Sequence, residues 1–356
     1  MSGLRDRIVR LIQTSGPISV AQYMTLALHD PKEGYYATRD PFGAGGDFIT
    51  APEISQTFGE MLGWAIAEAW LDWGSPLNPT LVELGPGRGT LMSDMLRTMK
   101  ALPRLWSQLR VAMIENSPTL RAVQQQTLAG TGVPIRWADS FAEAEIEGPL
   151  YVVANEFFDA LPIRQWVHTG EGIFRERLVG LDPDGAFRFE ASPWPLPFLP
   201  PGGEQTAVGT IYETTDASEL VMEDIGRAIQ EQRGAAFAFD YGYDKKGFGE
   251  TLQAVRQHTY ADVLNNPGEN DLTAHVDFPA LVEAAKRGGA EPLELMEQGE
   301  VLKMWGIEAR AEQLGGGAMM ERQIHRLIAP DQMGKLFKVL CVIPKNASVP
   351  AGFAHR

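Results

Sequence analysis

Acidic residues that end short apolar runs carry most of the chemistry open to this chain. In Asn155-Glu156-Phe157-Phe158-Asp159-Ala160-Leu161-Pro162 one carboxylate leaves the run 150–154 and a second stands three residues on. One helical turn puts residues at that spacing on one side. A carboxylate pair placed so holds a guanidinium bidentately and orients a nitrogen lone pair for attack. The same residues also suit the capping of a strand-to-helix turn. Glu156 and Asp159 are therefore the first candidate catalytic residues. A third is His275, in a polar stretch with His258, Tyr260, Asp271 and Asp277. An imidazole there would exchange protons near neutral pH or serve structure alone. None of the histidines has a metal-ligand spacing, so no metal site is expected.

The second constellation is Leu81-Val82-Glu83-Leu84-Gly85-Pro86-Gly87-Arg88-Gly89-Thr90-Leu91. A short apolar run stops at a glycine-rich turn, and an amphipathic run to about Met99 follows. Glycines let the backbone bend sharply and approach a ligand, while the helix start offers unpaired N–H groups. A P-loop requires Lys-Ser or Lys-Thr after the last glycine, which Arg88-Gly89-Thr90 does not supply. A dinucleotide loop spaces its third glycine one residue later. The pattern E-x-G-x-G-x-G better suits S-adenosylmethionine, which lacks a pyrophosphate and carries an ammonium and a sulfonium. A bare glycine turn between strand and helix is the plainer alternative. Glu83, Gly85, Pro86, Gly87, Gly89 and Thr90 are the candidate contacts.

Further candidates stand at the ends of the next strands. Glu115 closes the run 110–115, just before Asn116-Ser117-Pro118. In nucleoside-binding sheets an acid at that place accepts hydrogen bonds from the ribose hydroxyls; local helix capping is its other role. Asp139-Ser140-Phe141 closes the third strand, with Asp139 suited to an adenine amino group and Phe141 to the ring, or all three to a plain turn. Asn155 ends the fourth strand. The polar stretch Gly46–Ser55 precedes a strongly apolar helical pattern and is expected to fold over such a ligand, with Thr50 or Asp47 touching its amino-acid end and Gly46 a further candidate contact.

The elements that must position these residues alternate. Helical spacing is predicted over 4–13, 20–28 (capped by Ser19) and 57–73. Strand 80–84, helix 91–99, strand 110–115, helix 118–129 and strands 133–137 and 150–154 follow. Such alternation predicts a mainly parallel, doubly wound α/β sheet. Residues 163–215 break into short alternating runs separated by glycine and proline, which predicts a small antiparallel insertion. Helix 216–233 and strand 235–240 resume the core, and 240–275 is read as a long loop. Asp277 caps a helix over 278–287, and strand 292–296, helix 305–314 and strand 336–343 end the pattern. The predicted organisation is a helical N-terminal extension (1–75), a core (76–162 and 216–345) and a β-rich insertion (163–215) serving as a lid over the substrate.

Composition narrows the partners. Of 356 residues, 46 are acidic and 31 basic, a net charge of −15, so a nucleic-acid backbone is not the expected partner and a basic protein segment or small molecule is. A homodimer is open to the chain. A single cysteine, Cys341, allows no internal disulfide and no cysteine-built zinc site. No apolar stretch approaches the roughly 18 residues of a membrane span. The first 40 residues show neither the apolar core of a signal peptide nor the basic, acid-free character of a transit peptide, which places the expectation in a bacterial cytoplasm.

Taken together, GDFITAPEIS (46–55), LVELGPGRGTL (81–91), NEFFDALP (155–162), FDYGY (239–243) and DLTAHVDF (271–278) resemble the MidA-like methyltransferases. A mitochondrial relative of that family is the complex I assembly factor arginine methyltransferase. The glycine loop is common to class I methyltransferases generally; GDFITAPEIS with NEFFDALP is much more specific. The resemblance implies a class I methyltransferase Rossmann-like seven-stranded sheet of order 3-2-1-4-5-7-6, the last strand antiparallel, binding S-adenosyl-L-methionine. It further implies symmetric dimethylation of an arginine on a hydrophilic subunit of respiratory complex I, in support of assembly. Two other classes fit the same residues: a non-catalytic assembly chaperone that binds the cofactor, and a small-molecule methyltransferase.

Overall fold

The computed structural model describes residues 3–38, 50–256 and 259–353; Gly46, Asp47 and His258 lie outside the described residues. Seven strands make the main path of the central sheet: β1 (Thr80–Leu84), β2 (Arg110–Ile114), β3 (Ile135–Ala138), β4 (Leu150–Asn155), β5 (Gly234–Tyr243), β6 (Glu291–Pro292) and β7 (Phe337–Ile343). Their order across the sheet is β3-β2-β1-β4-β5-β7-β6. The first five strands run parallel, and β7 runs antiparallel to both β5 and β6. This is the order implied by the family resemblance, with 337–343 as the seventh strand.

Strand residues alternate between two apolar layers, as the two-residue period of a strand requires. Tyr151, Val153, Phe237, Phe239, Val339 and Cys341 face one layer, shared with helices Gln56–Asp72 and Thr90–Met99. Val152, Ala154, Ala236, Ala238, Leu340 and Val342 face the other, against helices Asp216–Gln232 and Phe278–Arg287. Burial on both faces explains why these strands read as nearly continuous apolar runs. Parallel pairing also brings the carboxyl ends of β1, β2, β3 and β4 to one edge, where the loops carrying the candidate residues emerge.

Residues 164–214 form an antiparallel sheet of four strands, Arg164–Gly170, Ile173–Leu181, Phe187–Pro195 and Ile211–Thr214. The N-terminal segment adds Ile18–Ser19 to it, opposite Val179 and Leu178. Ser19 then caps helix Val20–His29 through a capping box with Gln22. Leu4, Ile8, Tyr23 and Leu28 of the N-terminal helices share one apolar cluster with Val179 and Leu272. The N-terminal segment and the insertion thus pack as one body beside the central sheet.

Three stretches differ from the sequence reading. The loop 240–275 continues β5 to Tyr243 and then holds a three-stranded sheet of Gln253–Arg256, Thr259–Ala261 and Asp271–Thr273. These strands have three or four residues, too few for alternation to show. The strand at 292–296 is two short pieces, Glu291–Pro292 and Met296–Glu297, both paired with β7. The helical pattern at 305–314 is Ile307–Gln313, flanked by helices Gln298–Met304 and Ala318–Ile328. The last of these buries Ile324, Leu327 and Ile328 along one face.

Candidate active site

The glycine loop turns sharply because three of its residues occupy the left-handed region, Gly85 at φ 59°, Gly87 at 51° and Gly89 at 80°. Side chains rarely adopt that conformation. Gly85 N donates to Ile114 O at 3.1 Å, which ties the loop to β2. A Cβ at Gly85 would stand 3.0 Å from the ring of Phe157, so this loop and the turn after β4 are in close contact. Helix Thr90–Met99 starts at Gly89 without a side-chain cap. Thr90 Oγ1 instead donates to Glu53 Oε1 at 2.7 Å.

Two cavities flank this loop. The smaller, about 40 Å³, is lined by Thr50, Glu53, Glu83, Gly85, Gly87, Thr90, Asn155 and Glu156 among others. Glu83 is 3% exposed. Burial holds its carboxyl well above the usual range, although the Met92 amide donates to it. Glu83 Oε2 and Asn155 Oδ1 are buried and have no hydrogen-bond partner among the described residues. Buried acceptors left so are costly, and a cationic donor of ammonium size in this cavity satisfies both.

The larger cavity, about 260 Å³, is lined by Glu115, Asn116, Asp139, Ser140 and Phe141 on the sheet edge and by His29, Tyr36, Phe157 and Leu161 opposite. Glu115 is buried, accepts from Ser117 N at 2.8 Å and from Gln124 Nε2 at 3.3 Å, and is pushed up by burial against those bonds. Ser117 also caps the helix Pro118–Thr127 by accepting from Leu120 N at 3.3 Å. Asn116 is exposed at the rim. Asp139 is exposed and ion-paired with Arg121, which also donates from Nε to Glu115 O at 2.6 Å. Ser140 Oγ accepts from Glu143 N at 3.3 Å. The ribose-acid and capping alternatives at Glu115 are therefore compatible, because Ser117 supplies the cap.

Gly85, Gly87 and Glu156 line both cavities. Glu156 sits at φ 49°, a strained position for a residue with a side chain, and its N–H donates to Phe239 O at 2.9 Å. Its Oε1 accepts from Ala51 N at 3.1 Å and Asn155 Nδ2 at 3.2 Å. Burial, reinforced by the nearby Asp159 charge, pushes the carboxyl up to about 7. Asp159 is not beside it in the cavities. It is 6% exposed and turned back to hydrogen-bond with Tyr241, and burial again raises it. Behind both lies Asp240, fully buried, whose Oδ2 accepts from Phe158 N at 3.0 Å and Asp159 N at 3.2 Å.

The structure separates the remaining polar candidates. His275 lines neither cavity; its ring packs edge-on against Tyr241 at 5.4 Å, and burial lowers its pKa. Asp271 accepts from Tyr36 Oη at 2.9 Å. Asp277 caps its helix through Ala280 N at 3.1 Å and pairs with Lys246. Tyr260 is exposed. No cluster of three metal-ligating side chains occurs among the described residues, and no described helix is long and apolar enough to cross a membrane. No residue of 163–215 lines either cavity. The sequence reading missed Glu53, Asp240, His29, Tyr36 and Gln124. Glu53 and Asp240 lie inside the family motifs, whereas a glutamine inside an amphipathic helix gives no signal.

A doubly wound sheet of this order, with a glycine loop after β1 and an acid ending β2, defines the class I methyltransferase architecture. The family model of S-adenosyl-L-methionine-dependent methyltransferases matches residues 61–296, and the chain belongs to that family. It is 37% identical to the mitochondrial protein arginine methyltransferase NDUFAF7 of Danio rerio, over 93% of this chain and 85% of the relative. The human protein of that name is 34% identical over 94% of this chain and 81% of its own length. A crystal structure of a Burkholderia thailandensis protein bound to S-adenosyl-homocysteine superposes with a TM-score of 0.84 at 27% identity, covering 99% of this chain and 94% of that one. The chain is thus a methyltransferase whose cofactor is S-adenosyl-L-methionine. The orphaned acceptors of Glu83 and Asn155, the left-handed glycines and the larger cavity beside Glu115 fit that group.

Proposed function

We propose that this chain is a protein arginine N-methyltransferase and that Glu156 holds the acceptor guanidinium. The carrying observation is the place of Glu156: a half-buried carboxylate, on a residue held at φ 49°, at the junction of the two cavities. Bound S-adenosyl-L-methionine supplies an activated methyl group on a sulfonium. Glu83 and Asn155 take the ammonium end, Glu115 the ribose, and Asp139, Ser140 and Phe141 border the base. At the junction, a guanidinium offers paired donors in a plane that a carboxylate matches. Held there, one nitrogen is oriented for in-line attack, and alignment supplies most of the acceleration. Glu156 also accepts the proton that the nitrogen gives up on alkylation. Asp159 acts from behind by keeping the Glu156 carboxyl high, and His275 acts only through Tyr241.

The relatives bearing the name of a protein arginine methyltransferase support arginine as acceptor, and the net charge of −15 favours a basic segment. In our reading the acceptor is an arginine-bearing segment of a hydrophilic subunit of respiratory complex I, dimethylated symmetrically during assembly. Replacing Glu156 with Gln keeps the shape and removes the charge. Turnover on such a subunit, followed by mass spectrometry of the arginine, should fall at least about 100-fold. Affinity for S-adenosyl-homocysteine should stay within about threefold, since that ligand carries no guanidinium. Unchanged turnover removes Glu156 from the mechanism.

A further inference from the structure

Gln124 is completely buried on helix Pro118–Thr127, and none of its side-chain bonds serves the helix itself. Its Nε2 donates to Gly87 O at 2.8 Å and to Glu115 Oε2 at 3.3 Å, while its Oε1 accepts from Trp137 Nε1 at 2.8 Å. A backbone carbonyl only accepts and an indole N–H only donates, so the amide has one orientation that satisfies all three. The partners belong to three different strand ends: the loop after β1, the end of β2, and β3. One turn earlier on the same helix, Arg121 joins Glu115 O to the Asp139 carboxylate. This helix therefore splints the whole adenosine side of the crevice from behind.

We infer that Gln124 is a positioning residue for the cofactor, fixing the glycine loop against the carboxylate that meets the ribose, with Trp137 setting the direction of its amide. Neither a leucine nor a glutamate can replace it. Leucine leaves the Gly87 carbonyl and the indole unpaired, and glutamate presents acceptors where two acceptors already stand. The inference rests on the reading of Glu115 as the ribose acid, and the test keeps the two apart.

Calorimetric titration of S-adenosyl-homocysteine and of its 2′-deoxyribose analogue into wild type, Gln124→Leu, Trp137→Phe and Glu115→Gln decides it. Wild type should prefer the ribose form by about tenfold. Gln124→Leu should weaken S-adenosyl-homocysteine about tenfold and shrink that preference to about twofold, with turnover at saturating cofactor kept within about twofold. Trp137→Phe touches no group in the cavity, yet should show a smaller shift of the same kind, about threefold, and should add nothing to Gln124→Leu in the double variant. Should Gln124→Leu not fold, Trp137→Phe carries the test alone. A folded Gln124→Leu with wild-type affinity, a ribose preference unchanged in it, or additive Trp137→Phe and Gln124→Leu losses each overturn the inference. If Glu115→Gln keeps the full ribose preference, it is the reading of Glu115 that fails, while weaker binding by Gln124→Leu still tests the link to Gly87.

Discussion

The two ends of the crevice are built from the same residue types and differ in what stands beside each carboxylate. At the adenosine end Glu115, though also raised by burial, is tied to Gln124 and a backbone amide, and Asp139 is paired with the cation Arg121, so no carboxylate there presses on another. At the end formed by β4 and β5, half-buried Glu156 and buried Asp159 and Asp240 lie close together; each is pushed above the usual carboxylate range first by burial, and Glu156 and Asp240 further by their acidic neighbours. Arg326 lowers the Glu156 carboxyl only slightly against that burial. Binding favours the first arrangement, because a preformed site loses little freedom on occupation. The second stores electrostatic stress that an arriving cation relieves, which is where pKa perturbation and function coincide.

The largest effect expected at the adenosine end comes from Gly87→Val. A β-branched residue at φ 51° is both strained and too bulky for a loop that must approach its ligand. Calorimetry should show affinity for S-adenosyl-homocysteine reduced at least about 100-fold in a folded variant. Affinity within threefold of wild type would mean that the loop does not face the cofactor, and the contrast between the two ends would collapse.

At the other end the expected effect is smaller and depends on pH. With the Glu156 carboxyl at about 7, the ionised form that pairs with a guanidinium grows from pH 6 to pH 8. kcat/KM for the acceptor should rise roughly tenfold over that interval, while the cofactor Kd stays flat. A flat acceptor profile would remove the stress from the catalytic end. Stability should move the opposite way. A carboxyl raised by folding contributes its stability below its unfolded value, and that contribution is lost as pH climbs through about 7. Glu156→Gln should therefore melt roughly 2 °C above wild type at pH 8 and level with it near pH 4. Greater stability with far lower turnover in one variant is the signature of a site strained for function.

This contrast also governs how much could be read without coordinates. Both ends of helix 278–287 and the capping by Ser19 and Asp277 were legible, because caps are local signals, whereas the sheet order came only through the family resemblance. The glycine loop, Glu115 and Glu156 stand at strand ends, and parallel pairing brings such ends together whatever the details. Pairing Glu156 with Asp159 by helical spacing failed in its geometry: the left-handed backbone at Glu156 breaks the turn, and Asp159 rotates toward Tyr241. Gln124 and Asp240 were illegible for another reason. Their work is done through hydrogen bonds to residues 37 and 82 positions away, a separation that no periodicity records.

The two ends are not independent, and their link gives the smallest effect. Helix Ala51–Ile54 has only four residues, yet Ala51 N donates to Glu156 Oε1 at 3.1 Å while Glu53 Oε1 accepts from Thr90 Oγ1 at 2.7 Å. A single short turn thus joins the helix after the glycine loop to the strained carboxylate. Thr90→Val removes the hydroxyl and little volume, leaving Glu53 without that donor. The turn should loosen at both of its attachments, so cofactor Kd and turnover should each worsen by about two- to threefold. Glu53→Gln keeps an acceptor for Thr90 and should change turnover less than Thr90→Val does. In a cycle with Glu156→Gln, the turnover cost of Thr90→Val should vanish, because Ala51 then positions a group that no longer carries charge. The Kd cost should persist in that background. If both costs persist, the short helix serves the cofactor alone and the two ends of the crevice act separately.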